Sequence, residues 1–124
     1  MRAELAVLAN EHRPLEAALD RLGQTVLAGH IDTELLDSVG EALSRHYAHE
    51  EEFLSALDPQ EPALAAKLRA QHQEVLELST QLHASLQSGN AYDVSYLSRR
   101  FLAMAQHNMI EEERDVFPLA DSWS

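Results

Sequence analysis

Two stretches of this chain repeat one arrangement of metal-ligating side chains. His46-Tyr47-Ala48-His49-Glu50-Glu51-Glu52 and His107-Asn108-Met109-Ile110-Glu111-Glu112-Glu113 both read His-x-x-x-Glu-Glu-Glu. Each is preceded by a lone histidine at nearly the same distance: His12 lies 34 residues before His46, and His72 lies 35 before His107. A histidine and a carboxylate four apart on a helix share one face. Two such pairs, His46 with Glu50 and His107 with Glu111, together with His12 and His72, make a six-ligand pocket of nitrogen and oxygen donors. That donor set suits a pair of transition-metal ions, iron first, with manganese or zinc also compatible.

The elements that must position these residues are helical. Leu, Ala, Glu and Gln dominate and β-branched residues are few, a composition that favours helix. The spacing predicts a first helix over about Ala3–Ala28, ended near Gly29, and a second from Asp32 or Thr33, either able to cap it, to about Leu57. After the breaker-rich Asp58-Pro59-Gln60-Glu61-Pro62, a third runs from about Ala63 to Gln87. A fourth starts near Tyr92 or Asp93 and stops at Phe117-Pro118, leaving a short tail. Short connections make sequential helices antiparallel neighbours, so the expected fold is all-α, an up-down-up-down antiparallel four-helix bundle, read as a single domain over 1–124.

The apolar stripes put the candidate ligands on core faces. Leu5, Leu8, Leu15 and Leu19 surround His12; Val39, Ala42, Leu43, Phe53 and Leu57 surround His46 and Glu50. Ala65, Leu68, Val75, Leu76 and Leu86 surround His72, and Ala103, Met104 and Ile110 are read as surrounding His107 and Glu111. Counted from the end that carries the first and third turns, the six ligands fall within about 8 Å along the bundle axis at ~1.5 Å per residue. That is the size of a two-metal site. His30 falls in the first turn, His83 lies about 16 Å from the His72 level, and His49 is about 60° off the His46–Glu50 face. Glu16 forms His-x-x-x-Glu with His12 and is a candidate further ligand, or an acceptor that holds a ligand imidazole.

Composition narrows the function classes. The chain has 124 residues, no cysteine, and nine Lys+Arg against 21 Asp+Glu, a formal charge of -12. Disulfides, cysteine-ligated iron–sulfur clusters and thiolate zinc sites are excluded. The acidic balance argues against nucleic acid and against an anionic membrane surface. No stretch is apolar for long enough to span a bilayer and no leader pattern is visible, so a cytoplasmic protein is expected.

Taken together, His12-Arg13-Pro14, His46…Glu50-Glu51, His72, and His107…Glu111-Glu112…Phe117-Pro118 resemble the hemerythrin-like, or HHE cation-binding, family over essentially the whole chain. The resemblance implies a non-haem di-iron centre, two iron ions bridged by two glutamates and an oxo or hydroxo group, with histidines as terminal ligands. The ferritin-like alternative uses Glu-x-x-His, which does not occur in this sequence. Oxygen-carrying members place a second histidine four residues after the third-helix histidine, where this chain has Leu76. They also place an aspartate five after the fourth-helix histidine, where this chain has Glu112; Glu111, at four, matches the second helix better. Fewer protein ligands leave open coordination, and Leu76 with Leu43, Leu15 and Met104 is expected to wall a small apolar pocket that admits dioxygen, nitric oxide or peroxide.

The resemblance and the ligand set lead first to a di-iron protein that binds or senses dioxygen or nitric oxide, or handles iron. A redox enzyme of peroxidase, nitric-oxide reductase or iron–sulfur repair type is the second reading. A bundle that metal merely stabilises is the third. The absence of cysteine or any electron-delivering module favours binding over catalysis, with signal output left to a separate protein partner.

Overall fold

The computed structural model describes residues 2–123. Four long helices form: α1 (Arg2–Leu27), α2 (Thr33–Leu57), α3 (Pro62–Ser88) and α4 (Ala91–Glu111). A π-type turn, Glu112–Val116, carries α4 into the short α5 (Phe117–Asp121). Each long helix packs on its sequence neighbour and α4 closes back on α1, giving an antiparallel four-helix bundle. Among the described residues there is no strand, and no helix is long and apolar enough to cross a membrane.

The turns follow their chemistry. Asp32 caps α2, its side chain accepting from the Leu35 N–H at 3.1 Å, and Asn90 caps α4 by accepting from the Asp93 N–H. Gly29 and Gly89 take φ of 92° and 74°, the left-handed conformation in which a side chain would be strained. Pro62 begins α3, where a missing N–H costs nothing. Pro14 lies within α1, which continues through it as one helix.

The chain's end differs from the sequence reading. Phe117-Pro118 does not stop the last helix; helical structure resumes to Asp121. Proline cannot donate to the carbonyl four residues back and its ring crowds that carbonyl. The widened turn just before Pro118, in which the Phe117 N–H reaches back to the Glu112 carbonyl, gives it room and places it in the first turn of α5.

A second difference concerns α4. Its buried residues are Ser98, Phe101, Ala105, Asn108, Met109, Glu111 and, beyond the helix end, Glu112, while Ala103 and Ile110 are exposed. The expected stripe of Ala103, Met104 and Ile110 is thus rotated by about one residue, some 100°. Phe101 and Met109, with Val94 and Leu97 packed on the same cluster, bury more apolar area than that stripe would have, and area sets the rotation.

The core has two parts. The larger is built around Leu19, Leu22, Leu36, Leu43, Val75, Leu82, Phe101 and Met109, and the smaller around Leu5, Leu8, Phe53, Leu54, Leu57, Leu68 and Phe117. The boundary between them falls at a candidate ligand level throughout: between Leu8 and Leu15 on α1, between Tyr47 and Phe53 on α2, between Leu68 and Val75 on α3, and between Met109 on α4 and Val116 in the π-type turn that follows it.

Far from that boundary, His83 ties α3 to α2. Its Nδ1–H donates to the Ser79 carbonyl at 2.7 Å and its Nε2–H to Asp37. The Ser79 bond first, then the Asp37 carboxylate, raises its pKa above the ordinary value. A raised histidine pKa contributes stability that is complete below about 6.5 and lost as pH rises through the folded value. Proton NMR should therefore show His83 titrating above 6.5, and Asp37→Asn should lower that midpoint; an unshifted midpoint in the variant would show the pair to be immaterial. Phe101→Ala, at a position with no exposure, should cost about 3–5 kcal/mol in urea unfolding.

Candidate metal centre

The boundary layer is polar and closed. His12, His46, Glu50, His72 and Glu112 are all buried, and none is more than 6% exposed. Their spacing explains how they meet. His12 lies four residues from both Leu8 and its own turn-mate Glu16 and shares the Leu8–Leu15 face, His46 and Glu50 stack one turn apart on α2, and His72 follows Leu68 by one turn on α3. Glu112 is the first residue of the π-type turn and continues the buried face of Ala105, Asn108 and Met109.

Both carboxylates divide their oxygens between two groups of imidazoles. Glu50 Oε1 lies 2.7 Å from His46 Nε2 and 3.6 Å from His12 Nε2, while its Oε2 lies 3.1 Å from His72 Nε2. Glu112 Oε1 lies 3.2 Å from His12 Nε2, and its Oε2 2.9 Å from His72 Nε2. On one side, His12, His46, Glu50 and Glu112 offer four donor atoms within 4.8 Å of one another. On the other side His72 faces the second oxygens alone.

The outer faces of the imidazoles are anchored. His46 Nδ1–H donates to Glu11 at 2.8 Å, and the other Glu11 oxygen accepts from His49 Nδ1 at 2.7 Å. His12 Nδ1–H donates to Glu113 at 3.0 Å, and Arg13 pairs with the same carboxylate. Phe117 stacks on the His12 ring at 5.9 Å, so the π-type turn sets both Glu112 and the lid over His12. A hydrogen bond at Nδ1 fixes the tautomer and turns Nε2 inward as the ligating nitrogen.

These atoms fit a metal cation. The Nε2 atoms of His12 and His46 face each other at 3.0 Å, an arrangement that only a shared proton or cation makes favourable. Both Glu50 oxygens and Glu112 Oε1 are buried without a well-directed hydrogen bond, close as the imidazoles are. Protons meet the charge otherwise. Burial alone would lower His12 and His72, but Glu112 and Glu50 outweigh it and raise them to about 10 and about 9. Burial would raise Glu50, yet His12, His46 and His72 hold it well below the usual carboxylate range. Glu112 is raised, by burial first and by the like charge of Glu50. A cation entering the layer takes over what those protons do and must displace them.

Of the residues singled out in the sequence, the structure brings His12, His46, Glu50 and His72 together. His107 and Glu111 stand outside the layer. His107 is 62% exposed along its side chain, with Nε2 3.4 Å from Glu111. Glu111 accepts from Lys67 at 2.5 Å and from Gln71 at 3.1 Å, and the Lys67 bond first, then Gln71, lowers its pKa. Glu16 pairs with Arg13 at 3.1 Å, away from the layer, and His49 reaches it only through Glu11. Glu112 takes the place given to Glu111 by the four-residue spacing. The signal for it was the five-residue separation from His107 in the family pattern; Glu11 and Glu113, each next in sequence to a residue of the layer, carried no signal of their own.

The family model for the hemerythrin HHE cation binding domain matches residues 3–120. The chain belongs to the hemerythrin HHE cation-binding family. No curated protein and no solved structure gives a significant match.

Substitution separates the two adjacent glutamates. Glu112→Gln should lose at least half the bound metal per chain, measured by elemental analysis after reconstitution, whereas Glu111→Gln should keep it. Equal metal content in the two variants would sink the assignment of Glu112.

Proposed function

We propose that the layer holds two iron ions and that the protein binds or senses a small diatomic, dioxygen or nitric oxide. One observation carries the reading: Glu50 and Glu112 each present one oxygen to His12 and its neighbours and the other to His72. Two carboxylates shared in this way suit two cations rather than one. Nitrogen and oxygen donors with no thiolate favour iron, with manganese or zinc compatible. When bound, the iron pair supplies the redox-active centre to which a diatomic attaches.

In this reading His12 and His46 serve one position and His72 the other. We propose His107 as the further ligand of the His72 position. It lies five residues before Glu112, and residues five apart, about 140° apart on a regular α-helix, approach one face across a π-type turn. α4 already carries such a turn from Glu112 onward. Glu111 keeps Lys67 and Gln71. Glu11 and Glu113 hold the inner imidazoles in their ligating tautomer. Two apolar cores flank the layer above and below.

The second position has one buried imidazole and faces a groove between α2 and α3, lined in part by Tyr47, His72 and Leu76. That openness also favours turnover of peroxide or nitric oxide, and the same experiment separates the two. Anaerobic loading with ferrous iron should give two iron per chain, and oxygen should then produce a visible absorption that disappears on deoxygenation. One iron per chain would overturn the paired site. Prompt irreversible oxidation would replace binding by redox turnover.

A further inference from the structure

Tyr47 is a buried polar group that the layer leaves unused. It directly follows His46 on α2, yet its side chain turns to α3. Its ring lies flat against that of His72, centroids 4.0 Å apart and planes 7° from parallel. Tyr47 is 6% exposed and its hydroxyl oxygen is buried with no hydrogen-bond partner. The hydroxyl is near enough to Glu112 and Glu50 for both charges to act on it, but neither carboxylate accepts from it.

A buried hydroxyl without a partner is costly, and phenylalanine would fill the same space without that cost. What is missing is an acceptor on the His72 side of the layer, the side with fewer protein ligands. Access is provided: Tyr47, His72 and Leu76 line a groove of about 760 Å³ between α2 and α3, together with Ser44, Ala48 and Thr80. Leu76, one turn above His72, offers no polar atom there.

We propose that the Tyr47 hydroxyl is a ligand-binding group: it donates a hydrogen bond to a small anion or diatomic seated on the His72 side of the metal layer. This rests on the paired-metal reading above. It selects for ligands of two or three atoms whose free end accepts a hydrogen bond, and against isosteres that cannot accept one. The stacked ring fixes the distance and direction of the donor, so selection is geometric as well as chemical.

The test is Tyr47→Phe in the ferric, iron-loaded full chain, with azide as the probe. Iron per chain should be unchanged and the melting temperature should not fall, because the variant loses only an unpartnered hydroxyl. Azide affinity, read from its charge-transfer absorption, should weaken roughly ten-fold, the size of one hydrogen bond to a charged acceptor. The infrared stretch of bound azide should shift on exchange into heavy water in the wild type and not in the variant. Equal azide affinity and equal isotope shifts at full iron loading would overturn the proposal. Loss of iron in the variant alone would also overturn it, making Tyr47 a metal ligand instead. A wild type that binds no iron would fell the metal reading itself, an outcome distinct from both.

Discussion

Two carboxylates buried side by side are the constraint around which this bundle is built. Glu50 has no exposure and Glu112 almost none, and each lies within reach of the other's field. Desolvating one carboxylate costs several kcal/mol, and bringing two together adds repulsion. Three inward imidazoles answer that charge, and two more carboxylates, Glu11 and Glu113, answer the imidazoles from outside. The arrangement alternates in sign from the centre outward, so every group is positioned by the next. The apolar residues above and below make the layer dry, which strengthens each of these interactions.

Helical periodicity made most of this legible in the sequence. His12, His46, Glu50 and His72 sit on stripes of leucine and valine so regular that a count of residues gave both their facing and their depth. The first turn was equally readable from Gly29 and Asp32, whereas α4 starts at Ala91, capped by Asn90, slightly before the expected Tyr92 or Asp93. The facing of the fourth helix was not legible, for two reasons. Its sequence offers two overlapping apolar stripes, and the choice between them depends on how much of Phe101 and Met109 is buried against partners far away in sequence. The internal repeat is only partly structural: His107 and Glu111 repeat the four-residue spacing of His46 and Glu50, but on α4 it is Glu112, one residue further on, that faces the layer. A π-type turn leaves no local signature except Pro118, and proline is more often read as a stop.

The outer carboxylates show a different limit. Glu11 and Glu113 neighbour a ligand and a ligand level in sequence, yet each serves a histidine on another helix or across the bundle: Glu11 holds His46, and Glu113 holds His12. Such crossed support appears only when the helices are packed. It also ties α1 to α2 and α1 to the π-type turn at the very level of the layer, so the site's scaffold and the bundle's assembly use the same contacts.

The division of the core has a consequence for how the molecule comes apart. Each apolar cluster draws on residues from α1, α2 and α3 and from opposite ends of the α4–α5 stretch, and the two meet only across charged side chains. Cohesion between the halves therefore depends on whatever neutralises the layer. With a cation there, both halves are bound into one cooperative unit; with protons alone, the smaller half, which holds the chain's two ends, is the one free to open first as a separate foldon.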